Sequence, residues 1–409
     1  MTARRHIFVL ALLLAGLTES ARPEGWKTEA DASVYAYAGS TQPHAHSVLN
    51  PDNRIAGIAR SRVDTEVRIG LRAESDSLRL SLRPILSLYQ ASGDTGQETY
   101  LSQWQLRWRT SPTSQLAVGR DLLTWGPAQF RSPSNPFYFD SGRSNPMREL
   151  SGVDVLKFSW TPDVLHSVQL VRLTGSGHRQ PWLASRDDGW LLKADWRNDG
   201  RAAGLAIVHS PERAPFYGAH VQYSPSDAWL LYGEVGSGSR DQALKPPRNP
   251  EQPFEVQAES PRHTRQLLGA SYSLDNGHSL SLEYLHSGDG YSRDALRAYF
   301  KHAAAASLSA PGGAQTLGLA LTAAPPLLGR DYLHLVWQNS LLDEQGYWRL
   351  MLTRSFTDNS LQASGYAEIP ASSRLSVFAL GTLPAGHRQS EFAALIGYSL
   401  TLGIKLALP

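Results

Sequence analysis

The sequence predicts an all-β fold: a transmembrane antiparallel β-barrel of about 18 strands, with 16 as the next choice, long outer loops and one loop folded into the lumen. Three observations carry this. The last stretch, Phe392 to Leu408, places an apolar residue at every second position (Phe392, Ala394, Ile396, Tyr398, Leu400, Leu402, Ile404, Leu406, Leu408), with Ser399, Thr401, Gly403 and Lys405 between them. A period of two gives a strand one greasy side and one polar side, and the run exceeds the roughly 9–11 residues of a membrane-crossing strand. The same alternation recurs along the chain. Short and long connections alternate between the runs, as periplasmic turns and outer loops do.

The N-terminus is read separately. Arg4, Arg5 and His6 precede the apolar run Ile7 to Leu17, and Thr18-Glu19-Ser20 puts small residues before Ala21. That is the layout of a signal peptide over 1–20, with the barrel over 21–409; a buried helix is the other reading of the run. The chain has no Cys, so no lipoprotein anchor, disulfide framework or thiolate metal site is available. Beyond residue 20 no apolar run is long enough to span as a helix.

In Arg60–Glu74, Val63, Val67, Ile69 and Leu71 alternate with Arg60, Arg62, Asp64, Glu66, Arg68, Arg72 and Glu74. In Ser77–Gln90, Leu78, Leu80, Leu82, Leu86 and Leu88 alternate with Arg79, Ser81, Arg83 and Ser87. Trp104, Leu106 and Trp108 follow, against Arg107 and Arg109. Further runs are Trp190–Trp196, Tyr217–Tyr223, Leu280–Tyr284, Leu317–Leu321, Trp348–Leu352 and Leu375–Ala379. A soluble sandwich alternates too. Trp and Tyr near strand ends and dense charge on the opposite faces favour a barrel with interfacial girdles and a wet lumen. The runs number 18 or 19, and a bacterial barrel needs an even count, so either Trp26–Ala38 is not a membrane strand or one weak run is not a strand.

Short turns are expected near 74–77, 111–113, 161–163, 198–200, 224–227, 275–277 and 357–359, where Asn-Asp-Gly and Asp-Asn-Gly are hairpin signals. Long connections are expected at 39–59, 124–151, 175–187, 237–262 and 288–312, with a short helix over Ser292–Ser307. The chain ends Ala407-Leu408-Pro409, without a terminal aromatic residue.

The formal net charge is +2, and removing residues 1–20 takes away Arg4, Arg5 and Glu19, leaving 37 basic and 36 acidic residues. That balance argues against nucleic acid as a partner. The expected location is the bacterial outer membrane, with lipid and lipopolysaccharide around the wall. On the inward faces, Arg68, Arg72, Arg79, Arg83 and Arg107, with Arg60, Arg62 and Arg109, outnumber Asp64, Glu66 and Glu74. Arginine in a lumen favours anions and forms forked bonds to carboxylates. An internal salt-bridge lattice that only stiffens the wall is the competing reading.

The segment Gly119-Arg120-Asp121-Leu122-Leu123-Thr124-Trp125-Gly126-Pro127, continuing through Arg131 and Ser132-Pro133-Ser134-Asn135-Pro136-Phe137-Tyr138 to Arg143, Asn145-Pro146 and Arg148-Glu149, is rich in Pro, Gly, Asn and Ser. It reads as a structured loop after a strand. Folded inward, it presents Arg120, Trp125, Arg131, Asn135, Tyr138, Arg143, Asn145, Arg148 and Glu149 as candidate lumen groups; a plug that binds nothing is the other reading. The Gly-Arg…Trp-Gly-Pro…Ser-Asn run resembles the capsule-assembly (Wzi-type) outer-membrane barrels and is more loosely similar to the alginate-export and related porin-like barrels. From Pro136 onward the segment departs from the Wzi-type pattern. The resemblance implies a surface or export role with anionic polysaccharide, with periplasmic export partners.

The expected function is therefore a porin-like or polysaccharide export and assembly barrel handling an anionic solute or polymer. The alternative is a closed barrel that anchors surface polymer or supports an assembly machine without conducting. No enzyme is expected. His278, His286, Ser287 and Asp289 are close in sequence but sit where a strand enters a loop. His44 and His46 are two ligands at most, so no metal is expected. Walker and dinucleotide motifs are absent, and no cofactor is expected.

Overall fold

The computed structural model describes residues 25–138, 140, 142–143, 145–178, 188–211, 213–245, 254–309, 312–340 and 345–408. The leader predicted over 1–20 and parts of the loops at 175–187 and 237–262 lie outside them. The wall begins with β1 (Lys27–Pro43), β2 (Ser61–Glu74), β3 (Leu78–Ala91), β4 (Asp94–Ser111), β5 (Ser114–Asp121) and β6 (Val153–Trp160). It continues through β7 (His166–Gly175), β8 (Gly189–Asn198), β9 (Arg201–Ser210), β10 (Arg213–Tyr223) and β11 (Trp229–Gly238). A separate ribbon, β12 (Asp241–Leu244) and β13 (Val256–Glu259), leaves the wall here. The circuit resumes with β14 (His263–Ser273), β15 (Ser279–Ser287), β16 (Asp331–Gln338), β17 (Tyr347–Ser355), β18 (Leu361–Pro370), β19 (Leu375–Ala385) and β20 (Ile396–Leu408).

Each wall strand pairs antiparallel with its neighbours in the 18-stranded sheet, and β1 pairs with β20, Val34 opposite Leu406 and Ala38 opposite Leu402. The sheet is closed. Closure leaves no unpaired edge, which a bilayer does not tolerate. The count is even, so β1, open in the sequence reading, is a wall strand.

The register sorts the faces. Ala38, Val63, Leu402 and Ala379 lie in one cross-strand row, and the exposed Leu400, Leu402, Ile404, Leu406 and Leu408 share their side of the wall. The alternate residues, among them Tyr35, Tyr37 and Phe378, face the lumen and pack on one another. On the outward face, Trp108, Trp160, Trp196, Tyr223, Trp229, Tyr272, Trp337 and Trp348 all stand at the end of the barrel that carries the short turns. They form a girdle where amphipathic rings are favoured, at the membrane boundary.

Two runs of period two are not strands. Leu317–Leu321 lies in a helix. α1 (Arg293–Ser307) and α2 (Gly313–Ala323) fill the β15–β16 connection. α1 is the helix predicted from Ser292, whose side chain accepts from the Ala295 amide at 3.3 Å. In α2, Leu317, Ala320 and Ala323 are buried at a spacing of three while Leu319 is exposed. Ala and Leu are strong helix formers, and the buried stripe faces α1, where Tyr299 Oη donates to the Ala320 carbonyl at 3.0 Å. Similarly, β20 begins at Ile396; Phe392 turns inward, 6.3 Å from the Tyr332 ring, and Ala394 is buried in the loop core. That core joins α1 and α2 to Leu49, Leu244 and Ala394 over one mouth of the barrel. The turn at 357–359 lies at this mouth, not with the other short turns.

A charge placed at the bilayer midplane of such a wall costs about 2–4 kcal/mol. Leu205→Arg, on the outward face of β9 and 63% exposed, should lower unfolding stability in lipid by about that amount. Urea titration of the bilayer-folded protein measures it. A water-facing leucine would tolerate the change, so a neutral result would refute the lipid-facing assignment.

Candidate functional site

The connection between β5 and β6, residues 122–152, folds into the lumen and is fixed to the far wall by two carboxylates. Glu234 of β11 is 4% exposed and Glu283 of β15 is fully buried. Glu283 accepts from the Gln129 amide at 2.6 Å, the Phe130 amide at 2.8 Å and Tyr232 Oη at 2.7 Å. Glu234 accepts from the Ala128 amide at 2.9 Å, the Ser134 amide at 3.2 Å and Ser134 Oγ at 2.8 Å. A buried carboxylate is tolerated when several donors replace its water, and here the loop supplies most of them.

Glycine makes the close approach possible. A side chain at Gly236 would place its Cβ 1.8 Å from the Pro133 carbonyl oxygen, and one at Gly218 would place it 2.3 Å from that of Ser134. Gly inside a strand marks such an approach. Further on, Arg349 of β17 donates to Gln129 Oε1 at 3.2 Å, and the Phe130 ring stacks on His334 of β16 at 4.7 Å. The return leg is held by the opposite side. Arg68 of β2 donates to the Met147 carbonyl at 2.7 Å, Ser102 of β4 donates to Glu149 at 3.2 Å, and Met147 packs on Tyr366 and Phe378. The loop therefore touches walls on both sides of the lumen and narrows the passage.

The predicted site residues divide into groups. Several hold the loop rather than offering themselves to a solute. Asn135 donates to the Leu123 carbonyl at 2.7 Å and accepts from the Phe137 amide at 2.8 Å. Tyr138, buried, donates to the Ser151 carbonyl at 2.8 Å. Arg143 donates to the carbonyls of Pro127 and Ala128, both at 2.6 Å, and burial lowers its pKa from the usual guanidinium value. Asn145 accepts from the Met147 amide at 3.0 Å. Trp125 donates to the Ser134 carbonyl at 3.0 Å, with Lys193 5.7 Å from its ring centre.

A second group is cationic and lies along the near wall and the loop. Arg131 and Arg148 meet Asp140 at 3.3 and 2.7 Å. Arg83 and Arg68 lie 3.6 and 3.9 Å from Glu149, and Arg68 also binds Glu66 at 2.6 Å. Arg72 and Arg79 both bind Glu74, at 2.5 and 2.7 Å. Arg107 faces Arg79 directly across the β3–β4 pair and donates to Gln105 Oε1 at 2.6 Å. The salt-bridge lattice and the arginine surplus thus coexist.

Arg120 is a correction. It shares the outward face of β5 with the exposed Leu116 and Val118, and its guanidinium pairs with Asp154 at 2.8 and 3.0 Å. Period two decides this: Asp121 and Gly119 point inward, so Arg120 cannot. The acids that anchor the loop, Glu234 and Glu283, were missed. Their signal was an acid in an otherwise apolar or small strand, Tyr-Gly-Glu-Val-Gly in the first case. Glu391 was missed too. It lies in the β19–β20 loop, burial pushes its pKa up to about 7, and it accepts from the Leu328 amide and Tyr332 Oη. The His and Ser residues weighed for catalysis do not assemble. His278 and His286 stand at opposite ends of β15, His286 pairs with Asp331 on the outward face, and Ser287 faces inward toward Asp289.

Glu283→Gln removes the charge and turns one of the two accepting oxygens into an NH2 group, which then faces a loop amide donor. Hydrogen bonds to a charged group contribute about 1.5–3 kcal/mol each, so the loop should detach while the wall stays folded. Protease sites within 126–134 should open on intact cells that express the variant. An unchanged cleavage pattern would remove the anchoring role.

No family model matches the sequence, and no curated protein does. Among solved structures the fold is similar to that of Pseudomonas aeruginosa OpdQ, at TM-score 0.56 and 10% identity over 94% of this chain and 99% of that one. It is also similar to Pseudomonas aeruginosa OccK5 (OpdH), at TM-score 0.54 and 10% identity over 94% and 98%. A mutant of the Rh. blastica porin matches at TM-score 0.45 and 11% identity over 93% and 100%. No family model supports the likeness of segment 119–149 to capsule-assembly and alginate-export barrels. The closed wall and its apolar belt make the chain a membrane-spanning β-barrel, and the likeness to OpdQ and OccK5 shows that its fold is porin-like.

Proposed function

We propose that the protein is a porin-like channel whose passage, narrowed by loop 122–152, favours small anionic solutes. The observation that carries this is Arg107. It stands opposite Arg79 in the sheet, its Nε has no hydrogen-bond partner, and among the described residues it forms no ion pair. Like charges directly opposite one another destabilise a sheet, and Glu74 already serves both Arg79 and Arg72. An anion passing between them relieves that repulsion. Arg72, Arg79 and Arg107 lie toward the short-turn end, Arg68 and Arg83 in the middle, and Arg148 and Arg131 on the loop. Confinement strengthens their field relative to an open surface, and arginine keeps its charge across ordinary pH.

Small solutes fit better than a polymer. A polysaccharide chain would have to displace a loop pinned at Glu234, Glu283, Arg68 and Ser102. The resemblance to polysaccharide-handling barrels rests on a segment whose Asn135, Tyr138 and Arg143 are occupied in holding it. The same pinning, with the loop core over one mouth, favours the closed anchoring barrel as the second reading.

Planar-bilayer recording under a salt gradient tests both. The unaltered protein should show anion selectivity, and Arg107→Glu, which puts a carboxylate opposite Arg79 in place of a like charge, should reduce or reverse it. Cation selectivity in the unaltered protein would overturn the proposal. Complete absence of conductance from correctly folded barrels would overturn it in favour of the closed anchor.

A further inference from the structure

The inward faces of β2, β3 and β4 bring a set of hydrogen-bond donors together near the short-turn end. The register lays them in two adjacent rows. Arg72, Ser81 and Gln105 stand opposite one another in the first, and Glu74, Arg79 and Arg107 in the second. β5 adds only Gly119 and Ala117 to these rows, so no bulky side chain covers Gln105 and Arg107 from that side. Arg107 donates to Gln105 Oε1 at 2.6 Å, which fixes the amide so that its nitrogen is the free end. That nitrogen, Gln105 Nε2, and Arg107 Nε are both buried and have no acceptor among the described residues. A buried donor without an acceptor costs free energy, and here two occur at neighbouring inward positions of one strand. The acids nearby do not serve them. Glu74 is shared by Arg72 and Arg79, and Asp121 is taken by Lys157.

Arg72, Arg79 and Arg107 against Glu74 leave an excess of positive charge at this point of the wall. A carboxylate solute has two oxygens, and a single guanidinium fork satisfies both. Donors from three strands, an amide among them, suit an anion that offers oxygens in several directions. We propose that Arg72, Arg79, Gln105 and Arg107 form a stationary binding site for inorganic hydrogen phosphate. Glu74 gives the site its choice among tetrahedral anions. Hydrogen phosphate carries a proton that a carboxylate oxygen accepts. Sulfate and the dianion of a phosphomonoester carry none and meet Glu74 only as a like charge. The inference rests on the anion-favouring lumen argued above and names the anion that the lumen holds.

Equilibrium dialysis tests the site without requiring conduction. The detergent-folded barrel, held against radiolabelled inorganic phosphate at mildly alkaline pH, should take it up at a single saturable site per chain. Sulfate and a phosphomonoester should compete about tenfold less well, the difference that one hydrogen bond to a charged group makes. Arg107→Gln should lower phosphate affinity by about tenfold while the barrel keeps its resistance to SDS before boiling. Glu74→Gln should bring sulfate close to phosphate, a change of preference that a merely structural carboxylate would not produce. Absence of saturable phosphate uptake would overturn the proposal. So would equal competition by sulfate in the unaltered protein, or unchanged affinity in Arg107→Gln. An anion-selective barrel that takes up no phosphate loses only this inference, whereas a barrel that binds phosphate and does not conduct keeps the site and loses the channel.

Discussion

Everything in this molecule depends on one requirement: inside a bilayer no backbone amide or carbonyl can be left without a partner. A sheet satisfies it only by closing, so β1 must meet β20, and the strand of Lys27–Pro43 cannot be an optional extra. Closure fixes the face of each residue on a strand, because side chains alternate between lipid and lumen. The apolar belt, the girdle, the arginines of β2 to β4 and the placement of Arg120 all follow from parity once the register is set.

Parity also explains what was legible in the sequence. Strand after strand could be read because lipid and water impose opposite demands on consecutive residues; Leu78, Leu80 and Leu82 against Arg79, Ser81 and Arg83 are an example. The signal fails where neither solvent is present. Leu317, Leu319 and Leu321 alternate too, but they belong to a helix packed on another helix, and there the relevant spacing is that of Leu317, Ala320 and Ala323. Phe392 and Ala394 continue the period of β20 by coincidence, since both lie in a loop, Ala394 buried and Phe392 partly buried. The inward loop was legible from its Pro, Gly and Asn content. Its anchors were not, because Glu234 and Glu283 act across more than 100 residues of chain, and only the register brings them together.

The division of labour within the loop reverses a natural reading of its composition. Conspicuous residues such as Asn135, Tyr138 and Arg143 serve the loop's own backbone. Irregular chain inside a barrel has many amides and carbonyls to satisfy, and side chains that look like ligand-binding groups are the ones equipped to satisfy them. The charged groups left over on the near wall carry the functional argument.

The anchoring and the charge of the passage are linked. The far wall's two carboxylates, Glu234 and Glu283, lie beneath the loop, shielded from solvent and occupied by amides and hydroxyls. Arg68 and Arg349 also hold the loop, but its amides are taken by the acids, which without the loop would face the passage opposite the near wall's cations. By using these acids as anchors, the fold takes two carboxylates out of the passage, while the arginines of β2, β3 and β4 share its wall with Asp64, Glu66 and Glu74. How the loop is fixed thus decides which charges reach the passage, and a change that frees the loop widens the passage and uncovers Glu234 and Glu283.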